Sequence, residues 1–310
     1  MNLNKPAFWD QKKLSLWPIL LLPLTILYCL ALSIRGAITN KKKFKVKIIC
    51  IGNIYIGGTG KTPLAIKMAS LLQNKFQLAI IKKDYQDHQD EISLLKKNCK
   101  VITGKSREEA IQQAIREECN LVILDDGFQD VGIKKDLSIL CFSSAQGIGN
   151  GFVIPSGPLR EPLKKMLYAD IVCINGDSNL ELEKIIKSYN KNLEIFYSKY
   201  HILNLDFYKN KNYYAFSGVG NNINFLNLLK KNNINVGNYR FFPDHYSYSD
   251  LDIAQLRKDA LQHSLTLLTT EKDFLRLKKE ERKNIEYLST ELIIDNEKKL
   301  IEKITSHENS

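Results

Sequence analysis

Apolar positions along the chain fall into short runs separated by amphipathic stretches, and the runs have two lengths. Phe44 to Ile51 predicts a strand, a glycine-rich turn follows, and from Lys61 to about Leu72 the residues Leu64, Met68, Leu71 and Leu72 recur at helical spacing. Further strands are predicted at Gln77 to Ile81, Val101-Ile102, Asn120 to Asp126, Leu137 to Phe142 and Ile171 to Ile174, with helices beginning at Glu91 and spanning Arg107 to Glu118. Strands alternating with helices predict an α/β fold, a doubly wound parallel sheet. Past about Tyr189, Asn and Lys rise and the strands become more aromatic. Tyr213 to Phe216, Leu265 to Leu268 and Leu292 to Ile294 read as strands, and Asn224 to Lys231, Asp250 to Gln262 and Glu297 to Thr305 as helices. These predict a smaller second α/β domain, with Asn204 to Asn212 as hinge. The expected division is 1–40, 41–205 and 206–310.

The N-terminal stretch has the other length. Leu14 to Ile34 is about 21 residues without a charge, enough in principle to span a bilayer. Lys12 and Lys13 precede it, and Arg35 and Lys41-Lys42-Lys43 follow. Trp9, Trp17 and Tyr28 are amphipathic aromatics suited to a water–lipid boundary. A cleaved signal peptide lacks a clean small-x-small site here. A full span conflicts with Pro18 and Pro23, each of which removes a helix hydrogen bond. A buried core helix of a soluble domain is the remaining alternative. The expectation is a membrane-associated helix, or helix-break-helix, held in one leaflet with its basic flanks on anionic head groups.

At 310 residues, 44% hydrophobic and 25% charged, the chain can bury a large core and is not wholly disordered. The net charge of +11 suits an anionic partner without choosing among nucleotide, acidic lipid and nucleic acid. Six cysteines, with no Cys-x-x-Cys pair, read as small core hydrophobes in a reducing compartment.

The chemistry begins at Gly57-Gly58-Thr59-Gly60-Lys61-Thr62. Between a strand and a helix this is the setting of a phosphate-binding P-loop. Glycines let backbone N–H groups converge on phosphate oxygens, and the helix start adds unpaired donors. Lys61 would reach the β- and γ-phosphates, and the Thr62 hydroxyl would ligate Mg²⁺. The full pattern has a glycine where this chain has Tyr55. Leu121-Val122-Ile123-Leu124-Asp125-Asp126 is a buried-strand pattern ending in carboxylates, as a strand that delivers an Asp to Mg²⁺ requires. Asp90-Glu91 follows strand two; it reads as a base and a second metal ligand, or as a solvated acidic loop. Gly147 to Pro162 is too rich in Gly and Pro for regular structure; it is a shaped loop in which Arg160 offers a phosphate fork, or a rigid connector. Phe242-Pro243-Asp244-His245 sets a His beside an Asp after a proline turn.

Taken in order, these segments resemble the tetraacyldisaccharide 4′-kinase (lipid A 4′-kinase) family. The resemblance rests on Ile51-Gly52-Asn53 before Gly57 to Pro63, Asp90-Glu91, Asp125-Asp126-Gly127-Phe128-Gln129, Gly149-Asn150-Gly151 and Gly157-Pro158-Leu159-Arg160-Glu161-Pro162. It continues through Phe216-Ser217-Gly218-Val219-Gly220-Asn221 and Pro243-Asp244-His245 to Thr270-Glu271-Lys272-Asp273. The chain departs from the family at Lys82-Lys83-Asp84-Tyr85, where Ser-Arg-Gly-Tyr is usual, and at Asp130, where His is usual. The resemblance implies transfer of the ATP γ-phosphate to the 4′-hydroxyl of an acylated glucosamine disaccharide 1-phosphate, giving lipid IVA. It implies Asp90 as base assisted by His245, the two on different domains that close together. Tyr55, Ile56, Gly57, Gly58, Thr59, Gly60, Lys61 and Thr62 would bind ATP. Thr62, Asp125, Glu91 and Asp126 would hold Mg²⁺, and Tyr85, Asn150, Arg160 and Glu161 would meet the lipid. The enzyme would be peripheral or monotopic on the inner membrane, its active site facing the cytoplasm. Neither nucleic acid nor an obligate protein partner is expected. The alternative is a membrane-tethered P-loop NTPase acting as a switch or assembly factor.

Overall fold

A computed structural model describes residues 5–11, 15–84 and 89–306. The predicted strand–turn–helix is present as β1 (Lys47–Gly52), the turn and α2 (Lys61–Leu72). Around it are β2 (Leu78–Lys83), α3 (Gln89–Asn98), β3 (Val101–Gly104), α4 (Arg107–Arg116), β4 (Leu121–Asp125), β5 (Leu137–Ser143), β6 (Ile171–Asn175), α5 (Leu180–Tyr189) and β7 (Glu194–Ile202). β1 lies between β4 and β5, parallel to both, and the sheet runs β12-β7-β6-β5-β1-β4-β2-β3, with β12 at Thr290–Ile294. The central strands are apolar on both faces because helices cover both, as in any doubly wound sheet. Ile48, Cys50, Val122, Leu124, Leu140 and Phe142 are among the buried residues of its main core cluster.

A second sheet, β11-β10-β8-β9, comprises β8 (Asn212–Ser217), β9 (Asn235–Phe241), β10 (Thr266–Thr270) and β11 (Ile285–Leu288), all parallel. Its helices are α6 (Leu205–Lys209), α7 (Asn222–Lys231), α8 (Asp250–Gln262) and the short α9 (Glu271–Arg276). α10 (Glu297–Ser306) ends the described chain.

The contacts divide the chain into two compact units, and the boundaries differ from the sequence-based division. α3 belongs to the second unit, although it was expected in the P-loop domain. From Leu292 onward the chain belongs to the first unit: β12 extends the large sheet, and α10 joins it through Lys303 on Glu194 and Lys47 on the Ile304 carbonyl. The segment expected as a hinge contains α6, whose Tyr208 is buried and donates to the Tyr287 carbonyl.

The N-terminal apolar run forms α1 (Leu16–Ile38), one unbroken helix. Of the two forms expected, the unbroken helix is the one present. Pro18 falls in the first turn, where no N–H is required, and Pro23 is accommodated inside. Only 11% of its most apolar window is buried, and Leu20, Leu24, Ile26, Leu27 and Leu30 are exposed. It is therefore not a core helix. Its mean hydropathy of 2.1 over 18 residues is high enough for a membrane segment. The narrow face it does bury docks on the Gly- and Pro-rich loop. Thr25 Oγ1 lies 2.7 Å from Ser156 Oγ and 3.2 Å from the Val153 carbonyl, and Tyr28 donates to the Arg160 carbonyl.

Candidate active site

In the first unit the site grows from the end of β1. Gly52 faces Phe128 so closely that a Cβ there would lie 2.4 Å from the Phe128 Cβ, and the strand passes straight into the turn. Buried Asn53 ties that turn together, its amide nitrogen reaching the Tyr55 carbonyl at 2.6 Å and Thr59 Oγ1 at 3.0 Å. Gly60 begins α2 with φ +89°, and a Cβ on it would lie 2.6 Å from Asn175 Nδ2. Both features restrict the position to glycine. The loop between Gly57 and Thr62 thus has the strand, the turn and the helix N-terminus that a phosphate cradle needs.

The wall of this cradle is the segment 153–162. Ile56 N donates to the Pro158 carbonyl at 2.9 Å, and Arg160 N to the Ile54 carbonyl at 2.7 Å. Tyr55 fills the space between, fully buried against Val153 and Leu159. Its hydroxyl donates to Asp10 at 2.7 Å and accepts from Lys5. The tyrosine that replaces the usual glycine is therefore a packing residue joining the loop to its wall.

β4 delivers Asp125 beside the helix start. The carboxylate is fully buried. Its Oδ2 accepts from Thr62 Oγ1 at 3.1 Å and Lys82 Nζ at 2.5 Å. Its Oδ1 has no hydrogen-bond partner among the described residues. A buried carboxylate oxygen left without a donor is costly unless a ligand completes it, and one Thr hydroxyl plus one Asp beside a phosphate loop is the donor set Mg²⁺ takes in P-loop proteins. The residues present fit that ion. Asp126 turns away with φ +56°. Arg160 Nη1 lies 3.1 Å from both its oxygens and Lys61 Nζ 3.7 Å from Oδ1, while Arg107 donates to its carbonyl at 2.7 Å. Burial alone would raise the Asp126 carboxyl, but Lys61 and Arg160 outweigh it and hold it below the usual carboxylate range.

The second unit carries the acid–base group. Asp90, on the first turn of α3, is buried. Arg276 on α9 clamps one of its oxygens through Nε at 2.8 Å and Nη2 at 2.6 Å. Lys272 Nζ and His245 Nδ1 each lie 3.6 Å from the same oxygen. Burial pushes the Asp90 carboxyl up, but His245, Lys272 and Arg276 together draw it well below the ordinary range. Glu91 accepts from Lys272 at 2.9 Å and lies 3.9 Å from His245 Nε2. His245 is held with φ +56°, an uncommon conformation for a residue with a side chain. Arg276 is itself fixed from behind. Its Nη1 reaches Asp273 Oδ1 at 2.7 Å and the Gly218 carbonyl at 2.5 Å. Asp273, fully buried, also accepts from Gly218 N, Tyr248 and Thr270.

The structure brings together Asp90, Glu91 and His245 in one unit, and Thr62, Asp125 and Asp126 in the other. Asp90 and His245 were expected on different domains; they share one, because α3 packs on α9. Glu91, expected with the metal ligands, belongs to the unit without Asp125, and its near neighbours there are Lys272 and His245. Asn150 was expected at the substrate, but both ends of its amide hold the chain: Oδ1 accepts from Phe152 N, and Nδ2 donates to the Ser156 and Phe8 carbonyls. Glu161 is buried, its carboxyl raised by that burial, and Oε2 has no partner among the described residues. Tyr85 lies outside the described residues. Sequence reasoning missed Lys82, Arg107 and Arg276. For Arg276 a signal exists: it falls three residues after Asp273, on the same face of α9.

A family model described as tetraacyldisaccharide-1-P 4′-kinase matches residues 17–309. A tetraacyldisaccharide 4′-kinase from Pelagibacter ubique is 42% identical, over 98% of this chain and 98% of that protein. One from Rickettsia felis is 33% identical, over 98% and 97% respectively. Among solved structures, the “apo” form of LpxK from Aquifex aeolicus in complex with ATP is similar at a TM-score of 0.73 and 26% identity, covering 94% of this chain and 99% of that one.

Proposed function

Because the chain belongs to the tetraacyldisaccharide-1-phosphate 4′-kinase family, we propose that it transfers the γ-phosphate of ATP to the 4′-hydroxyl of an acylated glucosamine disaccharide 1-phosphate. The observation that carries the reading is the pairing of a phosphate cradle, Gly57 to Thr62 with Asp125, with a buried Asp–His pair, Asp90 and His245, in a single chain of this family. An NTPase switch needs the first and has no use for the second.

In the reaction the 4′-oxygen forms a bond to the γ-phosphorus as the bond to the β-bridging oxygen breaks, and the hydroxyl proton passes to Asp90. Lys61 neutralises charge on the β- and γ-phosphates, and the N–H groups of the loop hold them in line. Thr62 and Asp125 would hold Mg²⁺, which would supply charge neutralisation to the phosphates. Asp90 is a weak base, kept ionised by Arg276, Lys272 and His245. A weak base suits a loose transition state, in which the nucleophile carries little positive charge until late. Arg160 and Lys61 flank Asp126 and offer two cations to the transferring phosphoryl group. α1, with its exposed Leu and Ile face, lies in the inner membrane surface from the cytoplasmic side, where an acylated sugar and ATP can both be reached.

The test is radiolabelled γ-phosphate transfer to the acyl disaccharide 1-phosphate in detergent micelles. Wild type should label the lipid in a Mg-ATP-dependent way. ATP hydrolysis with no labelled lipid, the acceptor being accessible, would give the switch reading instead.

A further inference from the structure

The family resemblance assigns no role to Lys82, which stands where Ser is usual. Its side chain is 7% exposed and its Nζ lies 2.5 Å from Asp125 Oδ2, the carboxylate that also receives Thr62. β2 runs beside β4 in parallel, with Ile81 opposite Leu124, so Lys82 stands level with Asp125, the last residue of β4. β2 continues through Lys82 and Lys83 instead of stopping at the last apolar residue. An ammonium group is thus built against a fully buried carboxylate whose other oxygen, Oδ1, has no partner among the described residues.

A divalent ion arriving at Asp125 therefore meets a carboxylate already neutralised on one oxygen. We propose that Lys82 is a tethered counter-cation for Asp125. It stabilises the first unit without metal and weakens its Mg²⁺ affinity, because the ion must share Asp125 with the ammonium or displace it. This rests on the reading of Asp125 as the Mg²⁺ ligand. An unpaired buried carboxylate is destabilising, and Lys82 supplies the pairing here.

The experiment compares wild type, Lys82→Met, Asp125→Asn and the double variant in thermal melts with EDTA and across a MgCl₂ titration, all with a non-hydrolysable ATP analogue. Wild type should melt at nearly the same temperature in EDTA and at low Mg²⁺. Lys82→Met should melt roughly 5–10 °C lower in EDTA and regain that loss with Mg²⁺, at a half-saturating concentration about tenfold below that of wild type. The double variant should recover most of the EDTA stability, since it removes both charges, and should not respond to Mg²⁺. If Lys82→Met does not fold, a folded double variant supports the proposal. A double variant no more stable than Lys82→Met overturns it, as does a Lys82→Met protein with wild-type stability in EDTA and unchanged Mg²⁺ half-saturation. An Asp125→Asn protein that responds to Mg²⁺ as wild type does defeats the metal-ligand reading separately, leaving the EDTA comparison to decide the charge pairing.

Discussion

Replacing Arg276 by Met probes the acid–base group from behind. The side chain is 8% exposed and its guanidinium connects two buried carboxylates. Asp273 would keep Gly218 N, Tyr248 and Thr270 as donors, so little of the loss falls there. Asp90 would lose two short hydrogen bonds and retain Lys272 and His245 at 3.6 Å. Removing one partner of a buried pair costs about 3–5 kcal/mol; with Lys272 still near, the lower end, about 3 kcal/mol, is expected. At about 2–4 °C per kcal/mol for a chain of this size, that is roughly 6–12 °C in melting temperature. The sign with pH follows from the depressed Asp90 carboxyl. A lowered folded-state value gives stability that is present above the unfolded value of about 3.9 and lost as pH falls through the folded value. The variant should therefore show its full deficit at pH 7 and a smaller one below about pH 4. The acid limb of its kcat/KM profile should move to higher pH, and Arg276→Lys should fall between. Melts from pH 3.5 to 8 with parallel phosphate-transfer rates make the test. A deficit of the same size at pH 7 and pH 3.5, with an unmoved acid limb, would refute the idea that Arg276 acts through the charge of Asp90.

Two further outcomes are expected. Gly60→Ala should weaken nucleotide binding by calorimetry roughly 5–30-fold, because φ +89° is strained for Ala by about 1–2 kcal/mol and the new methyl group meets Asn175. Leu20→Glu with Leu27→Glu should shift the protein from the pelleted to the soluble fraction with anionic vesicles, with its melting temperature within about 2 °C of wild type, since both side chains are exposed and support no core.

The large sheet was legible because its strands are continuous apolar runs bounded by turn residues, and the phosphate loop because its spacing is mechanically constrained. What the runs could not show was where polar side chains complete a strand. β2 passes its last Ile and continues through Lys82, which is buried only because Asp125 arrives on the neighbouring strand. β7 carries exposed Lys199 and His201 on the face opposite buried Phe196, Ser198 and Ile202, and β9 is an exposed edge with no clear period of two. Asp90-Glu91 is conspicuous in the sequence, but the pairing of Asp90 with an Arg 186 residues away is a contact no local pattern encodes. Asn150 stands out in the sequence because Gly149-Asn150-Gly151 looks like a binding loop; that its amide also shapes the turn is visible only in the fold.

The return of β12 and α10 to the large sheet has a consequence for how the chain is made. The P-loop, β4 and the core strands leave the ribosome first, yet the strand that pairs with β7 begins only at Thr290. Between them the whole four-stranded sheet must be synthesised. Synthesis at roughly 5–20 residues per second sets a delay of several seconds during which β7 has an open edge and α10 is absent from the surface it will cover. Polar interruptions along β7, Lys199 and His201 among them, are what a temporarily uncovered edge needs to avoid pairing with another nascent chain.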